Sequence, residues 1–230
     1  MDDGVGDRVH EKKGMYEKKG FDAEAQFLET LIEFQYGVDV KEDLRRLSGS
    51  VSWAKGWPEN IVAFWNVEAF LWGQKISSDV RGMISSVLGS FCSGNILDLG
   101  CGAYSYTSGV GFDISAKMLS FNENCRVKVV GDVEKTLPFK DSEFDCVTAV
   151  FLLNYVHNIT GLLNEAKRVV KEGGKFVAVL NGKPVDEWQR QKEVPTKTKG
   201  EWVRLFGAYF DQVRLVEKGG LWFFFCAKEE

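Results

Sequence analysis

The sequence predicts an α/β protein: a doubly wound sheet of seven strands, mostly parallel with one antiparallel strand, preceded by an N-terminal helical cap. Three observations carry this. After residue 94, apolar stretches of strand length alternate with helical stripes. The chain then closes on two consecutive strand patterns joined by Lys218-Gly219-Gly220. Residues 22–76, by contrast, read as helices. Alternation first and a hairpin last is the pattern of a parallel sheet with an antiparallel strand at its end.

The first 21 residues form a charged arm in which EKKG occurs at 11–14 and again at 17–20. From Asp22 a helix carries Phe27, Leu28, Leu31 and Ile32 on one face and stops at Gly37. A short helix is expected from Asp39, with Glu42 three residues on completing a capping box. Trp53, Trp57, Phe64, Trp65, Phe70 and Trp72 then crowd into twenty positions, and Pro58 suits the first turn of a helix running to Gln74. Val80, Met83, Ile84, Val87, Leu88 and Phe91 make the next stripe. We expect a cap over 22–76 and a sheet domain over 77–230, with no linker between them.

Within 77–230, strands are expected at 95–99, 109–113, 126–131, 144–151, 174–181, 210–217 and 221–228. Helices are expected after Ser115, over 159–172 ending at Gly173, and over 199–208 behind the box Thr198-x-x-Glu201.

Composition excludes several classes. Among 230 residues, 44% are hydrophobic and 13% aromatic, enough to bury a core. No apolar run reaches the roughly 18 residues of a membrane span, and the polar N-terminus is not a secretory signal. The five cysteines lack a CxxC and the two histidines lie far apart, so neither a metal site nor a disulfide framework is indicated. A cytoplasmic protein is expected. The net charge of −4, with only six basic against four acidic residues in the most basic stretch, 183–204, argues against a nucleic-acid partner.

The chemistry lies at strand ends, where open α/β sheets bind ligands. Asp98 in LDLGCG, Asp113 in GFDIS and Asp132 in VVGDVE end the first three strands in order. Gly100 and Gly102 let a ligand lie against bare backbone. A dinucleotide fits poorly, because a carboxylate roughly 5 Å from a phosphate costs about 3 kcal/mol at an effective dielectric near 20. A ligand with no phosphate, a cationic centre and a free ammonium reverses that sign. S-adenosylmethionine is such a ligand.

ILDLGCG, GFDIS, GDVEKTLPFKDSEFDCVTAV and EAKRVVKEGGKFVAV resemble the successive motifs of class I S-adenosylmethionine-dependent methyltransferases, most closely the small-molecule branch of the ubiquinone and menaquinone methylation type. The likeness covers residues 77–228 and implies a Rossmann-like sheet. It implies that Asp98, Gly100 and Gly102 hold the methionine part of the cofactor and that Asp113 accepts from the ribose hydroxyls. By the same resemblance, Ile114 and Met118 pack on the adenine, Asp132 and the backbone of Val133 read its polar edge, and Phe151 lies under the methionine.

The chain departs from that pattern in two places. Tyr104 replaces the third glycine of the family turn. Residues 100–108 must also carry the first crossover: extended they span about 30 Å, but as a helix only about 13 Å, short of a strand of about 17 Å. An extended or single-turn crossover is therefore expected, with Tyr104 at the cofactor site.

Methyl transfer from a sulfonium needs alignment and, for a protic nucleophile, a base. The loop FLLNYVHNI faces the methyl donor in the family, so Tyr155 and His157 are the catalytic candidates. Asn154 and Tyr155, with Trp65 and Trp72 of the cap, are the candidates for lining an acceptor pocket. An Asn/Asp-Pro-Pro-aromatic motif, a Pro-Cys nucleophile and a GGGDG turn are all missing. That leaves a small-molecule methyl acceptor. A non-catalytic S-adenosylmethionine-binding partner and a nucleotide-dependent oxidoreductase stay open as alternatives, and the oligomeric state is not specified.

Overall fold

The computed structural model describes residues 22–182, 190, 192, 194, 195 and 197–229. The charged arm expected over 1–21 lies outside them. The chain divides into two compact units, Met1–Phe64 and Trp65–Glu230.

In the first unit, α1 (Asp22–Gln35) ends at Gly37, whose φ of +85° is the left-handed conformation that suits glycine past a helix end. Phe27 and Leu31 of α1 are buried with Leu44, Val51, Ala54 and Trp57, and the Trp53 ring meets Phe27 edge-on at 5.5 Å. The second helix differs from expectation. α2 covers Lys41–Ser48, its N-cap is Val40, and no side chain caps it. Glu42 bonds Arg45 at 3.0 Å instead of closing a capping box. α3 (Ile61–Lys75) starts three residues beyond Pro58, because the Asn60 side chain accepts from Ala63 N and sets the helix start there.

The second unit is a seven-stranded sheet: β1 Ile96–Leu99, β2 Val110–Asp113, β3 Val127–Val130, β4 Phe144–Val150, β5 Val170–Asn181, β6 Gln212–Lys218 and β7 Leu221–Ala227. Its order is β3-β2-β1-β4-β5-β7-β6. β1 to β5 pair in parallel, and β7 runs antiparallel to both neighbours, β5 and β6. The expected fold class is thus the observed one. Strand order reverses between β1 and β4, which makes the carboxyl ends of those strands the switch point.

Period-two alternation assigns the faces. Phe224 and Cys226 of β7 join Phe176 of β5, α6 (Ile159–Val169) and α7 (Lys199–Gly207) on one side. Phe223 and Phe225 join Val177 and Val179 on the other, under Trp72 of α3, Ile76 just past its end, and Ile84 and Leu88 of α4 (Ser78–Phe91). The crossover between β1 and β2 contains no helix, as its length predicts, and Tyr106 from it fills part of this second face. α7 carries the anticipated Thr198–Glu201 capping box, and α5 (Ala116–Phe121) is capped by Ser115.

One boundary is corrected. α6 ends at Val169 and β5 begins at once at Val170, rather than after Gly173. Pairing with β4 jumps from Phe144↔Val170 to Cys146↔Lys175, so the residues between bulge out, with Gly173 at φ +70°. Cys92 and Cys146 are joined as a disulfide, which the cysteine spacing did not indicate.

Candidate functional site

The site is built on the turn that follows β1. Gly100 and Gly102 both hold positive φ, +59° and +58°. Their surroundings differ. A Cβ on Gly100 would fall 2.5 Å from Leu152, whereas one on Gly102 would meet nothing nearer than Met118 Sδ at 3.9 Å and Trp72 Nε1 at 4.0 Å. Gly102 therefore borders open room shared with Trp72 and Met118, where a ligand can lie on the backbone.

Two buried carboxylates flank this turn. Asp98 is 2% exposed; its Oδ2 receives Ser105 Oγ at 2.5 Å and its Oδ1 receives Thr148 Oγ1 at 2.7 Å. Ser105 Oγ also lies 2.8 Å from the Thr107 carbonyl, so one hydroxyl proton faces two acceptors. Both are satisfied when Asp98 carries a proton and donates. Burial favours that state: it pushes Asp98 up to about 6 against the two hydroxyl hydrogen bonds, with Asp113 adding to the rise. Asp113 accepts from Gly102 N at 2.9 Å and from Ser115 N at 2.8 Å. Burial also raises it to about 6, opposed by those N–H groups. Once ionised, two carboxylates buried this deeply in one site call for a cation. This observation fits S-adenosylmethionine, and a phosphate-bearing ligand would make matters worse.

The other expected contacts fall around the same end of the sheet. Met118 is buried in α5 and Ile114 is half-buried beside Asp113. Asp132 accepts from Glu134 N at 2.9 Å, and Val133 packs on the core. Phe151, just past β4, is buried with φ +56°, a costly conformation for a non-glycine residue. Its N–H bonds Val179 O at 2.8 Å. Tyr104 lies partly buried beside the turn, its ring 5.2 Å from Tyr106.

Of the acceptor candidates, Tyr155 meets Trp65 edge-on at 4.9 Å, and Asn154 offers its carbonyl to Val194 N at 2.8 Å. Trp72 borders Gly102 as described. His157 is exposed; its backbone N–H donates to Glu134 and its Nδ1 lies 3.7 Å from the same carboxylate. The structure thus brings Trp72 to the glycine turn and sets His157 at the surface.

Four features have no local sequence signal. Asn122, fully buried, donates to Gly102 O at 2.8 Å and so braces the turn from outside. Asn66 of α3 accepts from Ser115 Oγ at 2.7 Å, tying that helix to the residue that caps α5. Arg81 of α4 lies 4.6 Å over the Tyr104 ring and donates to Gly73 O. Its Nε and the Tyr106 hydroxyl are buried and have no hydrogen-bond partner among the described residues. The fourth is a cavity of about 620 Å³ at the carboxyl end of β5, lined by Lys75, Ile76, Phe151, Asn181, Leu221 and Trp222 among others. Lys75 is neutralised by the buried Glu68 at 2.6 Å, so the wall is mainly apolar and aromatic.

A mostly parallel sheet with this order, a glycine turn at its switch point and buried carboxylates beside it are features of class I S-adenosylmethionine-dependent methyltransferases. Residues 97–178 match the family described as a methyltransferase domain, which supports that class and its cofactor, S-adenosyl-L-methionine. Over 110 residues it is 36% identical to demethylmenaquinone methyltransferase of Tropheryma whipplei (strain Twist), covering 42% of this chain and 46% of that protein. It is also 36% identical over 88 residues to an uncharacterised protein of Methanocaldococcus jannaschii, covering 36% of this chain and 43% of the relative. The chain thus spans less than half the length of these curated relatives. A S-adenosylmethionine-dependent methyltransferase from Aquifex aeolicus shares the fold with a TM-score of 0.53 at 16% identity, covering 69% of this chain and 97% of that one.

Proposed function

We propose that the chain transfers the cofactor's methyl group to a small-molecule acceptor seated in the cavity beside Phe151. The observation that carries this reading is adjacency. Phe151, expected under the methionine of the cofactor, is also a wall of the 620 Å³ cavity, so donor and acceptor spaces share a side chain. That volume suits a small ligand, and its aromatic and aliphatic lining suits a planar, largely apolar one.

The cofactor supplies an electrophilic methyl on a sulfonium, and the residues of the chain orient it. Asp113 accepts from the ribose hydroxyls, and Asp98 and the Gly100–Gly102 backbone face the amino-acid portion. Ile114 and Met118 hold the adenine against Asp132 and Val133. Arg81, with a buried donor to spare, and the Tyr106 hydroxyl are placed to receive the α-carboxylate, a task the shortened crossover leaves to them. Tyr155, half-buried against Trp65, is a better candidate than the exposed His157 for contact with an acceptor, although it does not line the cavity, where Asn181 is a polar residue of the wall.

Demethylmenaquinone, named for several curated relatives, is the first acceptor to test. No helix among the described residues is long and apolar enough to cross a membrane. A cytoplasmic setting, and no nucleic-acid partner, belong to the same proposal. Calorimetric titration with S-adenosylhomocysteine and with NAD, followed by methyl-transfer assays against quinol and phenol acceptors, tests it. Tight binding of NAD in preference to S-adenosylhomocysteine overturns the reading. Cofactor binding without transfer to any acceptor favours a binding partner, for which the doubly hydrogen-bonded Asp98 is the supporting observation.

A further inference from the structure

Beside the glycine turn lies a second chemistry that methyl transfer does not use. Cys101 sits between Gly100 and Gly102, and Cys125 lies just ahead of β3. Their sulfurs are 4.0 Å apart. Both are free thiols, Cys101 buried and Cys125 half-buried. The space they share is made by Gly111 of β2, where a Cβ would overlap both sulfurs. Each cysteine is registered on that strand from its own side: Cys101 N donates to Phe112 O, and Arg126 N, next to Cys125, donates to Gly109 O. The third free thiol, Cys226, is buried in β7.

We propose that Cys101 and Cys125 form a peroxide-reactive dithiol, a modification site whose oxidation to a disulfide displaces the glycine turn and weakens cofactor binding. The binding half of this proposal rests on the cofactor reading above; the dithiol itself does not.

The chemistry runs in two steps. Cys125 sulfur, the more accessible, attacks one oxygen of hydrogen peroxide. The O–O bond breaks, leaving Cys125 as a sulfenic acid and releasing water. Cys101 sulfur then attacks Cys125 sulfur, the S–S bond forms, and hydroxide leaves with the Cys101 proton as a second water. Two thiols lose two hydrogens, and their two electrons reduce the peroxide. The order of attack follows from the surroundings. The Cys101 contact stabilises a Cys125 thiolate and holds that thiol below the ordinary range, while the same contact and burial push Cys101 up.

The consequence for the turn is geometric. A disulfide needs its sulfurs at about 2.05 Å, so they must close by roughly 2 Å. Cys125 leads straight into the paired strand β3. Cys101 lies between two glycines of positive φ, the more yielding side. Its movement drags Gly102, whose N–H serves Asp113 and whose carbonyl serves Asn122.

The test uses the full chain, reduced and then treated with hydrogen peroxide, as wild type, Cys125→Ser and Cys101→Ser. Peptide mass mapping of wild type is expected to find a Cys101–Cys125 cross-link that dithiothreitol reverses. In Cys101→Ser, dimedone is expected to trap a sulfenic acid at Cys125. Calorimetry is expected to show S-adenosylhomocysteine binding weakened at least about tenfold by oxidation and restored by reduction. Cys125→Ser is expected to bind like reduced wild type and to be indifferent to peroxide. Oxidation of Cys125 with no cross-link overturns the dithiol. A cross-link that leaves affinity unchanged overturns its effect on the turn. If reduced wild type fails to bind S-adenosylhomocysteine, the cofactor reading falls, while the mapped cross-link still decides the dithiol.

Discussion

The carboxylate of Asp113, the last residue of β2, accepts the backbone N–H of Gly102 at 2.9 Å across eleven residues of sequence. One oxygen thereby holds the open-sided glycine of the turn, and the other holds Ser115 N, at the start of α5. Turn, strand end and helix start are one hydrogen-bonded unit before any ligand arrives. Asp113 is thus a brace as well as the proposed binding group.

Asp113→Ala should accordingly do two things. Loss of a charged acceptor for the ribose hydroxyls weakens S-adenosylhomocysteine binding by about 1.5–3 kcal/mol. Loss of the brace lowers the melting temperature of the ligand-free protein. Calorimetry and thermal denaturation read the two separately, and an unchanged dissociation constant sinks the ribose assignment.

The pH dependence of binding and of stability should oppose each other. Asp98 and Asp113 have folded pKa values of about 6, raised from 3.8 chiefly by burial. Such groups bind protons more tightly when folded. Their contribution to stability is fully present below the unfolded value and is lost as pH rises through about 6. The α-ammonium that S-adenosylhomocysteine shares with the cofactor, and the ribose hydroxyls, favour them ionised, so S-adenosylhomocysteine affinity should rise by at least about tenfold between pH 5 and 7.5. In Asp98→Asn the stability lost by ligand-free protein over the same range should shrink. A pH-independent affinity contradicts the assignment of both carboxylates.

Arg81 and Tyr104 meet at 4.6 Å where the family turn would carry a glycine. If Arg81 receives the amino-acid carboxylate, Arg81→Met should weaken S-adenosylhomocysteine more than about tenfold. It should spare 5′-methylthioadenosine, which has no carboxylate. Equal loss for both ligands makes Arg81 a packing residue. Tyr104→Gly should shift cofactor affinity while leaving the ligand-free melting temperature nearly constant.

Trp222 tests the acceptor cavity. Trp222→Ala should lower methyl transfer at fixed acceptor concentration through a higher KM, with the S-adenosylhomocysteine dissociation constant held within about twofold. A change in cofactor affinity with KM intact moves the acceptor elsewhere. Trp65→Phe and Trp72→Phe, read by fluorescence during cofactor titration, report whether those rings sense the site. Trp72, beside Gly102, is the one expected to.

By itself the sequence determined the sheet, its hairpin ending and the order of Asp98, Asp113 and Asp132. Each of these is a local pattern: an apolar run, a turn residue and a carboxylate at its end. The nine residues of the crossover likewise argued by length alone against a full helix. Only the tertiary structure decided how the turn is held. Asn122 reaches back 20 residues to Gly102, and Asn66 reaches forward 49 to Ser115. Arg81 reaches Tyr104 of the crossover from α4, and Trp222, from the far end of the chain, lines the same cavity as Phe151. Nothing in the neighbours of an asparagine or arginine marks such a partner, because the contact exists only once separate elements have packed. Bounds shifted for the same reason: β4 pairs with Val170 and ends α6 early, overriding the glycine signal at 173. Local propensity chose the elements, and long-range pairing and burial set their limits and the charge state of the site between them.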